Sequence, residues 1–190
     1  MNKTNYLIYN WYNGRLEDVR LRTKKEAKLA YKYFLDKKEE RLIEFQKLME
    51  SEYNLEEKNI KQLDEIIYKY AIDEAKQLKG KTPKERYDFW LANDFWNSLA
   101  LDIVIYIGEL IIQESKGIIY WDLKVSTKNN LDNNFPCLFG FKNKEITNPK
   151  YAYGITRVIT SHIGSLIVRE NPKFEHFFHL SYTEAIQKIL

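Results

Sequence analysis

Two carboxylates, Asp102 and Glu109, stand seven residues apart in the most apolar stretch of the chain, with Tyr106 between them. Seven residues is close to two helical turns, so a helix sets both acids on one side. Paired carboxylates on an apolar helix could act as general acid and base, or hold a metal ion. A di-iron bundle would add a Glu-x-x-His motif, and none accompanies them. The preferred reading is structural: the two acids mark a solvent-facing edge, or pair with Lys or Arg from a neighbouring helix.

Glu175-His176-Phe177-Phe178-His179 places two imidazoles three residues apart, where a helix could aim both at one metal. The segment is not His-Glu-x-x-His and no cysteine lies near it. Its two Phe point to a segment packed on the body with the histidines at the rim. His162 stands alone and reads as a surface or hydrogen-bonded core residue. Cys137, between Pro136 and Leu138, reads as a buried and inert thiol. As the sole cysteine it excludes an internal disulfide and fits a reducing compartment. Glycine-rich phosphate loops and Gly-x-Ser-x-Gly are absent. No catalytic, cofactor or metal site is therefore expected.

Tyr, Trp and Arg most often dominate binding interfaces. Tyr9, Trp11, Tyr12, Arg15, Arg20 and Arg22 are accordingly the partner-binding candidates, on an N-terminal β-hairpin over residues 5–22. Its first strand would be Tyr6 to Tyr12, its turn Asn13-Gly14, and its return Leu16, Val19 and Leu21. Arg15 to Lys38 carries nine basic and four acidic residues, and Glu39 to Glu57 two basic and seven acidic. The basic half could hold a phosphate backbone. The adjacent acidic block would weaken that field, and a net charge of +3 gives little reason to expect nucleic acid.

These residues need elements to carry them. Trp96, Leu99, Ala100, Ile103, Ile107, Leu110 and Ile111 keep one helix face, and Val104 and Ile105 widen it nearly all round. The spacing predicts a central helix with neighbours on several sides, ended by Gly117. Gly108 inside it costs ~1 kcal/mol relative to Ala. That predicts a close crossing by the Trp121 strand or the Tyr153 helix, with Glu109 capping or bridging it.

Before this helix, Thr23 and Glu26 form a capping box that opens a helix to about Met49. Asn54 opens a second helix, ended by Gly80 and packed antiparallel on the first. Thr82-Pro83-Lys84-Glu85 starts a short third. After it, Ile118 to Val125 and Pro136 to Phe141 read as paired strands around a polar loop. Asn148-Pro149 starts a helix that includes Tyr153 and ends at Asn171-Pro172. Ser181-Tyr182-Thr183-Glu184 opens the last helix.

The 190 residues suit one domain. The fold class expected is α+β: a mainly helical single domain with a central apolar helix and a small antiparallel β-hairpin. Its helical body would span 23–116, with a hairpin and C-terminal helices over 117–190. The longest unbroken apolar run, Ile103 to Ile107, is too short to span a bilayer. With no signal-peptide pattern, a cytoplasmic protein is expected.

Several short motifs recur in a telling order: Leu21-Arg22-Thr23 with Glu26-Ala27, Tyr33-Phe34, Glu40-Arg41, and Asn54-Leu55-Glu56. Leu101-Asp102-Ile103, Ile107-Gly108-Glu109, Trp121 and the Pro136 to Phe141 strand with Asn148-Pro149 follow. Over roughly Leu21 to Leu166 the chain resembles a group of small uncharacterised cytoplasmic proteins of Gram-positive bacteria. Tyr106-Ile107-Gly108-Glu109 followed by a Trp-bearing strand is also similar to immunity-type bacterial proteins. The resemblance carries over no catalytic residue. It implies a bacterial protein that binds another protein, as a toxin-neutralising partner would.

The function expected is therefore non-enzymatic protein binding or self-association, of immunity or antitoxin type. The alternatives are a nucleic-acid-associated accessory factor using the Arg15 to Lys38 face, and a metal-dependent hydrolase built on Asp102 and Glu109. No membrane partner is expected.

Overall fold

The chain is helical wherever its apolar residues recur every three or four positions, and it pairs as strands on either side of the Asn-rich loop 128–134. The computed structural model describes residues 6–9, 16–49, 56–141, 152–169 and 172–189. Leu16–Leu21 is a 3-10 helix. The elements after it are α1 (Lys24–Met49), α2 (Lys58–Gln77), α3 (Pro83–Ala92), α4 (Asp94–Glu114), β1 (Tyr120–Leu123), β2 (Pro136–Phe139), β3 (Ala152–Tyr153), α5 (Ile155–Val168) and α6 (Phe177–Gln187). This is the α+β class, mainly helical, with a small antiparallel sheet.

Local chemistry sets several boundaries. Thr23 and Glu26 cap α1 reciprocally: the Thr23 amide N–H donates to Glu26 Oε2 at 2.8 Å, and the Glu26 N–H returns to Thr23 Oγ1 at 3.3 Å. Thr82 and Glu85 repeat the exchange at the start of α3, with Pro83 in its first turn. Asn93 ends α3 and caps α4 by accepting the Trp96 N–H at 3.1 Å.

Every α4 residue from Trp96 to Gly108 is buried. Over 18 residues α4 has a mean hydropathy of 1.6, so it is long and apolar enough to cross a membrane. The unbroken run Ile103 to Ile107 understated it. Yet 83% of that window is covered by the rest of the chain, as in the core helix of a globular protein. The cover comes from α1, α3, α5 and α6. β2 lies between β1 and β3, all antiparallel, with Trp121 opposite Leu138 and Leu138 opposite Tyr153. β1 rests on α1, and β2 on α5.

Four expectations are corrected. Leu16–Leu21 is a 3-10 helix, so the 5–22 hairpin lacks its returning strand, and residues 6–9 form no strand. The Asn13-Gly14 turn lies outside the described residues. The reason is a long-range anchor: Asn134 Nδ2 donates to the carbonyls of Val19 at 3.2 Å and Arg22 at 2.9 Å, and Asn133 Nδ2 to that of Arg20 at 3.1 Å. Side-chain amides thus satisfy carbonyls that a strand partner would otherwise take.

Second, Tyr153 belongs to β3, and its helix begins at Ile155; Asn148-Pro149 lies outside the described residues. Third, α1 packs chiefly on α4 and β1, whereas α2 packs on α5 and α6, so the two do not form a helical hairpin. Fourth, the last helix starts at Phe177, a turn before the Ser181 box. Its first amides are capped from α2: Asp64 accepts the N–H of Phe178 at 2.8 Å and of His179 at 3.1 Å. Within α6 the Thr183 hydroxyl turns back onto the His179 carbonyl at 2.9 Å, as mid-helix threonines do.

Candidate functional site

The paired carboxylates of α4 are both engaged by α1. Asp102 is fully buried and takes two parallel hydrogen bonds from the Arg41 guanidinium. Tyr6 donates its hydroxyl to the same carboxylate, and Arg41 also donates to the Leu7 carbonyl. Burial pushes the Asp102 carboxyl up to about 6, against the pull of Arg41. Burial, together with the Asp102 charge, holds the proton on the Tyr6 phenol. This network ties residues 6–9 to α1 and α4.

Glu109 forms an ion pair with Lys38 and accepts the Trp121 indole N–H at 2.7 Å. The close crossing predicted at Gly108 is this indole: a Cβ on Gly108 would fall on Trp121 Cζ2. Tyr106, also buried, packs on Phe45.

His162 stacks on Phe177 at 3.8 Å between ring centroids, and burial lowers its pKa to about 4, with Arg169 adding to the shift. His179 Nε2 faces Glu57 at 3.4 Å. His176 Nδ1 is buried without a hydrogen-bond partner among the described residues. Among the described residues, no three His, Cys, Asp or Glu side chains converge as metal ligands. Cys137 is fully buried, and burial raises its thiol pKa.

The partner-binding candidates are dispersed. Tyr9 belongs to the core, 6% exposed, its amide N–H donating to Ser98 Oγ at 2.8 Å; its expected role at a surface is corrected. Trp11, Tyr12 and Arg15 lie outside the described residues. Arg22 is half-buried beside the Asn134 anchor. Of the basic run on α1, Lys37 pairs with Glu40 and Lys38 with Glu109.

Arg20 reaches a site that the sequence reading missed. A cleft of about 470 Å³ opens between α3, α5, the loop ahead of β2 and the 3-10 helix. Trp90, 5% exposed, forms its floor, and Phe135 one wall. Gly164 lets α5 approach that floor, since a Cβ there would stand 2.9 Å from Trp90 Cε2. Tyr87 and Leu131, each about half exposed, rise at the rim. Arg157, Thr160, Ser161, Gly164 and Ser165 line the α5 side at three-and-four spacing. Arg157 Nε meets Asp132 Oδ1 at 2.8 Å. Among the described side chains, none forms an ion pair with Arg20. The available signal was the polar stripe of α5 opposite its apolar one. That stripe showed a face, and only the fold shows that α3 and the Asn-rich loop enclose it.

Chemically, the cleft offers two guanidiniums, the hydroxyls of Tyr87, Thr160, Ser161 and Ser165, and an aromatic floor. Among the described residues that line it there is no His, Asp or Glu to serve as a base. No family model, curated protein or solved structure matches the chain.

Proposed function

We propose that the chain is a non-enzymatic protein-binding domain that takes its partner in the α3–α5 cleft. The observation that carries this reading is the gathering of Tyr87, Trp90, Arg20 and Arg157 around one open concavity. These are the residue types that dominate binding energy at interfaces, here with a buried aromatic at the centre and polar groups at the margin. The groups that could have done acid–base chemistry support it from the other side. Asp102 is taken by Arg41, and Glu109 by Lys38 and Trp121. An immunity or antitoxin-like role is the specific form of this reading, supported by the sequence resemblance.

The test is a photo-crosslinking amino acid placed at Leu131, in cells that produce the protein naturally. The expected result is a discrete cross-link to one protein, lost when Tyr87→Ala is added. A toxin-domain protein encoded next door is the first candidate for its identity. Cross-links from a control position such as Lys76, with none from position 131, would place the interface elsewhere and overturn the assignment.

A further inference from the structure

We infer that the occupant of this cleft is an acidic peptide segment of the partner, presenting an Asp or Glu carboxylate beside a large apolar side chain. The inference rests on the protein-binding reading above and names the chemistry it requires.

The argument begins with Arg20. Its backbone is pinned by Asn133, whose side-chain amide donates to the Arg20 carbonyl at 3.1 Å. Asn134 holds the carbonyls on either side, at Val19 and Arg22. Asn134 itself sits at φ +65°, a left-handed conformation that asparagine tolerates. Arg20 thus lines the cleft from a backbone that is held in place. Among the described side chains no carboxylate pairs with Arg20.

Arg157 faces the same cleft and is held by Asp132. Among the described side chains, two guanidiniums and one carboxylate give the cleft surplus positive charge. A planar guanidinium matches a carboxylate in two-point geometry, which an ammonium does not. Ser161 and Ser165 stand on the same α5 face and can donate further hydrogen bonds.

The remaining surface is apolar. Trp90, Phe135 and Leu131 supply a floor, a wall and a rim for a large side chain next to the acid. A basic segment would set its charge against both arginines. A neutral one would bring no counter-charge to Arg20. The cleft is open to solvent, so a peptide chain can place one or two side chains in it. A small free carboxylate would bury little of itself there.

The experiment pans a random peptide library displayed on phage against the full chain. The expected result is enrichment of peptides with Asp or Glu next to Leu, Ile, Phe or Trp. A synthetic representative should bind roughly tenfold weaker or worse to Arg20→Glu, and likewise when its acid is replaced by the amide. Leu131→Asp should weaken it comparably. Each variant's thermal transition should stay at the wild-type value, since Arg20 and Leu131 reach the surface. Enriched peptides without acidic residues, or acidic peptides that bind Arg20→Glu undiminished, would overturn the acidic-segment inference. The protein-binding reading would then stand or fall on the Leu131 cross-link alone. No enrichment together with that cross-link would overturn a linear peptide occupant. No enrichment and no cross-link would overturn both.

Discussion

Arg41 and Asp102 meet side by side between α1 and α4, Nε to Oδ1 at 2.8 Å and Nη2 to Oδ2 at 2.7 Å, and neither side chain reaches solvent. The pair fixes the rotation of α1 against the central helix. Removing one partner leaves the other charge buried and alone. Arg41→Met or Asp102→Leu should therefore each cost about 3–5 kcal/mol in a denaturant titration. The double variant should cost less than either single, because an apolar pair has no stranded charge. Single variants within about 1 kcal/mol of wild type, beyond the error of such titrations, would remove this pair from the core argument.

Gly108 and Trp121 depend on each other in the same way. Gly108→Ala gains about 1 kcal/mol of helix propensity but drives a methyl group into the indole. The overpacking should win, with a net loss of about 1–3 kcal/mol. Adding Trp121→Leu should recover part of that loss, giving a favourable coupling in a double-mutant cycle. Strict additivity would show that the two residues do not touch.

How far these relationships were legible depends on their range. An acid in an apolar helix demands a counter-charge, so the pairing of Asp102 and Glu109 with a neighbouring helix could be read from one segment. Gly108 announced a close crossing, and Trp121 was within reach of the guess. The capping boxes at Thr23 and Thr82 are local, and the fold keeps both. The failures are side chains that satisfy distant backbone. Asn133 and Asn134 hold a 3-10 helix more than a hundred residues earlier, where a returning strand was expected. Asp64 caps α6 from α2, so the Ser181 box marked the wrong start. The cleft was hidden for the same reason: its walls come from four separate parts of the chain.

Asp64 gives a direct test of that remote cap. Asp64→Ala leaves the Phe178 and His179 amides without their acceptor, at a cost of about 1–2 kcal/mol. Hydrogen exchange at those two amides should accelerate more than at the middle of α4. Asp64→Asn should keep part of the effect through its remaining oxygen. If Ser181→Ala proves the more damaging change, and exchange at 178 and 179 is unaltered in Asp64→Ala, the helix begins where the local motif said.

His162 should make the fold acid-sensitive. Its ring is stacked on Phe177 and half-buried, which lowers its pKa from 6.5 to about 4. Between those values the unfolded chain binds a proton that the folded chain refuses. The stability it contributes is thus complete above pH 6.5 and is lost as the pH falls towards 4. The whole shift corresponds to about 3 kcal/mol, and solvent reaching the ring reduces the expected effect to about 2 kcal/mol. Asp64 and Asp102, which burial pushes up to about 6, act in the opposite sense, since the folded chain holds their protons longer. The wild-type profile therefore mixes the two, and a comparison with His162→Gln isolates the histidine. The stability difference between wild type and variant should shrink by about 2 kcal/mol between pH 7 and pH 4. In an NMR titration the His162 ring should stay neutral until well below pH 6. A ring that titrates at 6.5, or a stability difference independent of pH, would mean that His162 is open to water in the folded protein.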